Sequence, residues 1–400
     1  MHPGSEYQTN KYTHTDNMKI GIVLYPTYGG SGVVATELGK SLAEKGHEIH
    51  FITYSQPVRL GSFRENIYYH EVSLTDYPLF DFQPYETVLA SKMVDVVKYE
   101  KLDLLHVHYA IPHASAAFMA QQILKSQGID IPFITTLHGT DITLVGKDPS
   151  FEPVITFCLN QSNAVTAVSA SLKADTYKHF GTDREIHVIP NFIQPKATLP
   201  EIDLEKRRRY AFDHERILTH ISNFRKVKRI EDVVKIFALV NKQLPCKLLL
   251  AGDGPERGMV ERLARDLGIY DKVTFIGKVR DTSHVLEISD LFVLPSETES
   301  FGLAALEAMA VGVPVISSNT GGIPEVNLEG FSGYLSDVGN VEEMAANAIS
   351  ILESDKVLAT FRKNALERAH EFSLENILPM YEDLYESVSG KKCKGYVKPC

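Results

Sequence analysis

Strand and helix patterns alternate along this chain in two separate blocks, and that alternation constrains the fold more than any other feature. Lys19 to Tyr25 is a run of buried-strand character. The glycine turn Gly29-Gly30-Ser31-Gly32 follows it. Val33 to Lys45 then carries Val34, Leu38 and Leu42 at i, i+4 and i+8, the spacing of one helix face. Gly46 closes that helix, and Glu48 to Thr53 reads as a second strand. Strand, glycine turn, helix and strand in this order make a βαβ unit of a parallel sheet.

The pattern continues with strands at Leu102 to Val107, Phe133 to Leu137, Ala164 to Val168 and Ile186 to Ile189. Helices are expected at Ala114 to Lys125, Phe151 to Gln161 and Ala170 to His179. Pro190-Asn191-Phe192 breaks the alternation, and residues 194 to 216 read as a linker followed by one exposed helix. A second alternation starts at Arg216 and runs to the helices Val341 to Leu352 and Asp355 to Glu371, with a last amphipathic helix at Leu374 to Val388. The expected fold class is therefore α/β, with two doubly wound halves that face each other. Ligands of such sheets bind beyond the carboxyl ends of the strands, which puts the site between the halves. The expected division is a disordered extension at 1–17, a first domain at 18–192, a second at 193–373, a closing helix at 374–388 and a disordered tail at 389–400.

Composition narrows the function. Asp plus Glu exceeds Lys plus Arg, 51 against 41, and the net charge of −10 argues against a nucleic-acid binder. No apolar run approaches the length of a membrane span, and Met1 to Asn17 is too polar for a signal peptide. The four cysteines form neither a disulfide framework nor a zinc spacing. A cytoplasmic protein is expected, acting as a monomer or a homo-oligomer, with no nucleic acid or membrane as partner.

Several segments carry chemistry. The turn at Gly29 to Gly32 opens a helix, where small residues and free N–H groups favour an anion. The second strand ends Thr53-Tyr54-Ser55 without the acid that a dinucleotide's ribose would need, which disfavours NAD. His106 and His108 share one strand face, but no carboxylate stands at ligand spacing and the chain has no Asp-x-Asp, so no metal is expected; these histidines line the crevice or pack. Thr136-Leu137-His138-Gly139-Thr140-Asp141 turns at a strand end and exposes an imidazole there, or caps a helix. Ser222-Asn223-Phe224-Arg225-Lys226-Val227-Lys228-Arg229 concentrates cations at another strand end, an anion site in an acidic protein. Gly252-Asp253-Gly254-Pro255-Glu256 is a weaker signal. The most informative segment runs from Pro295 to Ala310. The N–H groups of Phe301, Gly302 and Leu303 suit a phosphate, and Glu299 and Glu307 suit sugar hydroxyls. Gly321-Gly322-Ile323-Pro324-Glu325 completes the rim.

The run E-S-F-G-L-x-x-L-E, then A-M-A-x-G-x-P-V-I and later G-G-I-P-E, resembles the family 4 retaining glycosyltransferases of GT-B fold, over about Met18 to Val388. The segments G-G-S-G-V-V-A-T-E-L-G-K, H-V-H-Y-A-I-P-H, T-T-L-H-G-T-D-I-T and S-N-F-R-K-V-K-R resemble most the members that glycosylate malate at the first step of bacillithiol biosynthesis. The resemblance implies UDP-N-acetylglucosamine as donor, held by the second half, L-malate as acceptor, held by the first, and no cofactor. It implies that Lys228 holds the diphosphate with Arg225, although Ser222-Asn223 replaces the usual Gly-Arg. It further implies donor contacts at Gly30, Ser222, Asn223, Val279, Phe301, Gly302 and Leu303, with Glu307 on the ribose and Glu299 and His138 on the donor sugar. Ser31, Tyr109, Thr136 and Asn191 are the candidates for malate. His138, Lys228, Arg225 and Glu299 form the expected catalytic set.

A double displacement needs an enzymic nucleophile, and Asp141 is the one acid of the first half in a suitable motif. A front-face substitution needs none and no metal. The alternatives are a family 4 enzyme with another donor or acceptor and a non-enzymatic two-lobed sugar-nucleotide-binding protein.

Overall fold

The computed structural model describes residues 17–27, 29–61, 64–74, 83–144 and 148–391. The expected extension, up to residue 16, and the tail from 392 lie outside the described residues. The first lobe holds β1 (Lys19–Val23), α1 (Gly30–Glu44), β2 (Glu48–Thr53), β3 (Ile67–Glu71), α2 (Tyr85–Glu100), β4 (Leu104–His108), α3 (Ser115–Ser126), β5 (Phe133–Leu137), α4 (Glu152–Gln161), β6 (Ala164–Ala167), α5 (Ala170–His179) and β7 (Ile186–Val188). A short α6 (Leu204–Arg207) leads into the second lobe: β8 (Arg216–Ser222), α7 (Ile230–Asn241), β9 (Cys246–Gly252), α8 (Arg257–Asp266), β10 (Val273–Gly277), α9 (Ser283–Leu286), β11 (Leu291–Leu294), α10 (Leu303–Met309), β12 (Val315–Ser318), β13 (Gly333–Ser336), α11 (Val341–Leu352) and α12 (Asp355–Glu371). The last helix is α13 (Leu374–Ser389).

The first sheet runs β3-β2-β1-β4-β5-β6-β7 and the second β10-β9-β8-β11-β12-β13, with every pair parallel. Helices cover both faces, so the central strands are buried along their length; all five residues of β4 and of β5 are buried, their histidines and threonines included. The order reverses between β1 and β4 in one sheet and between β8 and β11 in the other. Crevices open at the carboxyl ends of such strand pairs. The glycine turn follows β1, the cationic segment follows β8 and the acidic loop follows β11, so the chemical motifs stand at the switch points of both sheets.

Two elements have no counterpart in the sequence reading, β3 and α2. The edge strand β3, Ile67-Tyr68-Tyr69-His70-Glu71, is only partly covered and lacks a clear apolar face. Helix α2 buries Leu89, Ala90, Met93, Val96 and Val97, a period that the sequence does display. The exposed helix expected before the second lobe is present but short: Leu204, Glu205 and Lys206 of α6 are exposed, whereas Arg207 is buried, 2.6 Å from Asp290 and hydrogen-bonded to the carbonyls of Ile288 and Glu215. A guanidinium with three acceptors compensates for its own desolvation.

The chain crosses between the lobes twice, and the crossings lie together. The Ile193 N–H donates to the Phe372 carbonyl at 3.0 Å, and Leu374 N–H donates to Ile193 at 3.0 Å. Beyond that point α13 packs on the first lobe, burying Tyr381 and Tyr385 with Met18, Ile20, Leu38 and Leu42. A further apolar cluster spans both lobes, bringing Ile142 and Val168 together with Phe301, Ala305 and Ile323.

Candidate active site

The first-lobe wall begins with the glycine turn. A side chain on Gly32 would stand 2.5 Å from the Tyr25 carbonyl, so the turn closes only with glycine there. Helix α1 starts at Gly30 with neither a side-chain cap nor an acid in its first turn, which leaves its first N–H groups as anion donors. The Ser31 and Tyr109 hydroxyls share a hydrogen bond of 2.7 Å. Tyr109 has φ 89° and ψ 137°, backbone that a bulky residue rarely adopts, and its N–H donates to the Thr136 carbonyl at 2.9 Å. That geometry sets its ring 5.3 Å from Tyr25 and 5.2 Å from His138. Burial raises the Tyr109 hydroxyl to about 12, so it stays protonated.

Behind these groups lies a buried set of histidines. His106 contacts the Tyr385 hydroxyl through Nδ1 and Thr136 Oγ1 through Nε2, both at 2.7 Å. His108 Nδ1 lies 2.8 Å from His138 Nε2, and His113 Nδ1 donates to the His108 carbonyl. Burial lowers His106 and His138 to about 3 and His113 to about 4, and it takes His108 well below its ordinary value. All four rings are neutral at pH 7. Asp141 is equally committed. Its carboxylate accepts from the N–H groups of His138, Gly139 and Ala110 at 3.3, 3.0 and 3.0 Å, and burial raises its pKa despite those donors. It clamps the turn that carries His138 and is not poised as a nucleophile.

The second-lobe wall is charged. Lys228 Nζ lies 2.5 Å from Glu299 Oε1, which also accepts from Ser296 Oγ at 3.0 Å. Arg225 is exposed and makes no ion pair among the described residues, whereas Arg229 turns back onto Asp232 at 2.6 Å. The backbone beneath is fixed by His220. Its Nδ1 donates to the Val293 carbonyl at 2.8 Å, so its Nε2 accepts from Ser222 Oγ at 2.8 Å, and that oxygen accepts the Phe224 N–H at 3.3 Å. The Gly252-to-Glu256 turn, unremarkable in sequence, backs this loop. Side chains on Gly252 and Gly254 would meet the Ser222 and Asn223 carbonyls at 1.8 and 2.4 Å. Gly321 and Gly322 do the same behind Glu299 and Ser300, where a side chain would approach the carbonyls to 1.9 and 2.4 Å.

Glu307 sits one turn into α10. It accepts from Thr282 Oγ1 at 3.1 Å and faces Arg59 of the first lobe at 3.9 Å. Burial raises its carboxyl, and Arg59 and Thr282 oppose that shift. A cavity of about 460 Å³ lies here, lined from both lobes by Glu37, Arg59, Gln194, Arg280, Thr282 and Glu307. Val279, next to Arg280, follows β10 and is partly buried.

The lobes meet where the two loops carrying His138 and Glu299 touch. A side chain on Gly139 would fall on Ser300 Oγ at 1.5 Å, and one on Gly30 would meet Leu303 at 3.1 Å. Ser169 Oγ donates to the Ser300 carbonyl at 2.6 Å. Glu325 accepts from the Ala170 and Ser171 N–H groups, both at 2.8 Å, and so caps α5 of the other lobe. Glu325, which the sequence places only on the rim, is a latch between lobes. The structure thus brings His138, Gly30 and Ser31 to the face opposite Glu299, Phe301, Gly302 and Leu303. Phe301 is buried, so its backbone alone is available there. Thr136 is not brought to the cleft: it is fully buried, its hydroxyl held between His106 Nε2 and Thr166 Oγ1 at 2.7 and 2.6 Å. Asn191 is buried with Oδ1 unpartnered among the described residues. Of possible cation ligands, Glu48, His50 and Glu100 converge at the opposite ends of the strands, and Lys19 already holds Glu48 there at 2.6 Å.

Residues 28–197 match the model described as Glycosyltransferase Family 4, and residues 202–368 match Glycosyl transferases group 1. N-acetyl-alpha-D-glucosaminyl L-malate synthase of Bacillus anthracis is 48% identical over 93% of this chain and 97% of its own length. The chain belongs to the family 4 glycosyltransferases. Solved structures of two glycosyltransferase-fold proteins share its architecture. A sucrose-phosphate synthase from Thermosynechococcus elongatus superposes with a TM-score of 0.77 at 21% identity, covering 94% of this chain and 100% of that one. HepE of Anabaena, in complex with UDP and glucose, gives 0.76 at 20% identity over 93% and 100%. The fold of this glycosyltransferase is accordingly GT-B, and among its described residues no helix is long and apolar enough to cross a membrane.

Proposed function

We propose that this glycosyltransferase moves N-acetylglucosamine from UDP-N-acetylglucosamine to the hydroxyl of L-malate with retention at the anomeric carbon. One observation carries the reading: where the His138 and Glu299 loops meet, the cleft is cationic and carboxylate-rich on the second lobe and lined by neutral donors on the first. The name of the Bacillus anthracis relative, nearly half identical along the same length, supports the same donor sugar and acceptor. UDP lies on the second lobe. Lys228 exchanges its Glu299 partner for the diphosphate, Arg225 adds a second cation, and the N–H groups of Phe301, Gly302 and Leu303 point at phosphate oxygens. Glu307 accepts from the ribose diol, the Val279 backbone meets uracil, and Glu299, once released, accepts from donor-sugar hydroxyls. Ser31, Tyr109 and Asn191 hold the malate carboxylates beside the turn of α1, and Thr136 supports the floor beneath them.

The commitment of Asp141 to three N–H groups favours a front-face substitution. The malate oxygen bonds to the anomeric carbon as the bond to the UDP oxygen breaks on the same face, and the hydroxyl proton passes to the departing phosphate. The protein contributes position and stabilisation of charge on the diphosphate. The test is UDP release from UDP-N-acetylglucosamine with and without L-malate, with the product anomer read by NMR. Malate-dependent release with an α-linked product is expected. Release indifferent to malate, or a β-linked product, would remove the proposal.

A further inference from the structure

His138 is a cleft residue whose orientation is set from behind by a second histidine, and the hydrogen-bond inventory decides which of its nitrogens carries the proton. His108 is fully buried on β4. Its Nδ1 faces His138 Nε2 at 2.8 Å, and its Nε2 has no partner among the described residues. Both rings are neutral at pH 7, so one donates and the other accepts. If His138 donated, His108 would bury an orphaned N–H. If His108 donates through Nδ1, what remains buried is a bare ring nitrogen, and an unsatisfied acceptor is the less rare of the two. The adjacent ring sets a precedent: His113 donates through Nδ1 to the His108 carbonyl and likewise keeps an unpartnered Nε2. The His106 ring, held by Tyr385 and Thr136, covers His108 with centroids 4.4 Å apart, which fixes the donor's plane.

We propose that His108 is a positioning residue that holds His138 as the Nδ1–H tautomer, so that His138 presents a neutral N–H donor to an oxygen of the bound sugar nucleotide or acceptor. The proposal rests on the glycosyl-transfer reading above. A neutral donor at this place orients a hydroxyl or carbonyl without competing with Lys228 for the diphosphate. Removing the partner frees the ring to turn and to change tautomer while the cationic wall stays intact.

The experiment uses the full chain with UDP-N-acetylglucosamine and L-malate, and wild-type turnover is its internal control. In His108→Leu, kcat should fall about tenfold or more, the scale on which outer partners of a functional histidine act. UDP binding should stay within about twofold, because the donor cations are untouched. In His108→Asn the amide N–H can replace the Nδ1 donor and should restore most of the rate. Independently of turnover, imidazole ¹⁵N shifts of the unliganded wild type, assigned by loss of the resonance in His138→Gln, should show His138 with its proton on Nδ1. An Nε2–H His138 overturns the proposal, as does a folded His108→Leu enzyme with wild-type kcat or an Asn variant no better than Leu. An inactive wild type would instead count against the functional reading, and the shifts would still decide the tautomer.

Discussion

On the proposed reading, the two walls of the cleft recognise anions by opposite means. The second-lobe wall uses charge: Lys228 and Arg225 at the end of β8, with Glu299 and Glu307 around α10. The first-lobe wall uses neutral groups in a fixed network, the Ser31–Tyr109 pair and the His108–His138 pair, backed by His106 and Thr136. The difference fits the two tasks. A leaving diphosphate gains charge during the reaction, so mobile cations that trade partners can stabilise the transition state. An acceptor keeps its carboxylates unchanged, so fixed dipoles that select shape are sufficient.

Lys228→Ala should break the charged wall. Loss of a donor to developing charge costs on the order of 10²-fold in kcat, measured by steady-state kinetics. Unchanged kcat with only a raised donor KM would restrict Lys228 to ground-state binding. Replacing malate by glycerate sharpens the other side. One carboxylate is removed, and at about 1.5–3 kcal/mol for a hydrogen bond to a charged group, kcat/KM should drop by about 10- to 10²-fold.

The same contrast predicts different acid sensitivity. The first lobe buries His106, His108, His113 and His138, all with lowered pKa, whereas among the described residues of the second lobe His220 is the buried ring held neutral, at about 4. Below the ordinary histidine value of about 6.5 the unfolded chain binds protons that the native rings refuse, so stability falls with pH from there to about 3–4. Hydrogen exchange between pH 7 and 4.5 should show β4 and β5 losing protection before β8 and β11. Equal loss would mean that the histidine network does not set the acid limit. The smallest expected effect is that of EDTA, which should leave turnover unchanged if, as proposed, Lys228 and Arg225 take a metal's place at the diphosphate. Activity abolished by EDTA and restored by magnesium would contradict that division.

The same asymmetry explains what the sequence could disclose. The charged wall is legible because its groups are contiguous: four cations lie between Arg225 and Arg229, and the acids and phosphate turn lie between Pro295 and Glu307. The neutral wall joins residues far apart, Ser31 with Tyr109 across 78 positions and His108 with His138 across 30. No local pattern marks such a pair. Thr136 stands at a strand end, a place suited to the acceptor, yet alternation turns it into the core, onto His106 and Thr166. The roles of Gly254, Gly321 and Gly322 follow from close approach to distant carbonyls, which a sequence does not display. Conversely, the alternation of strands and helices shows directly which loops stand at the switch points, and so where the cleft must be.

The division between a donor lobe and an acceptor lobe is tested most directly by Ser31→Ala, with malate KM and UDP affinity measured on the same preparation. The hydroxyl of Ser31 pairs with Tyr109 on the neutral wall, far in character from the cations proposed to hold UDP. Malate KM should rise about tenfold and the UDP dissociation constant should stay within about twofold of wild type, in line with the loss of one hydrogen bond to a charged group. Loss of UDP binding with malate KM unchanged would assign the glycine turn to the donor and overturn the division between the lobes.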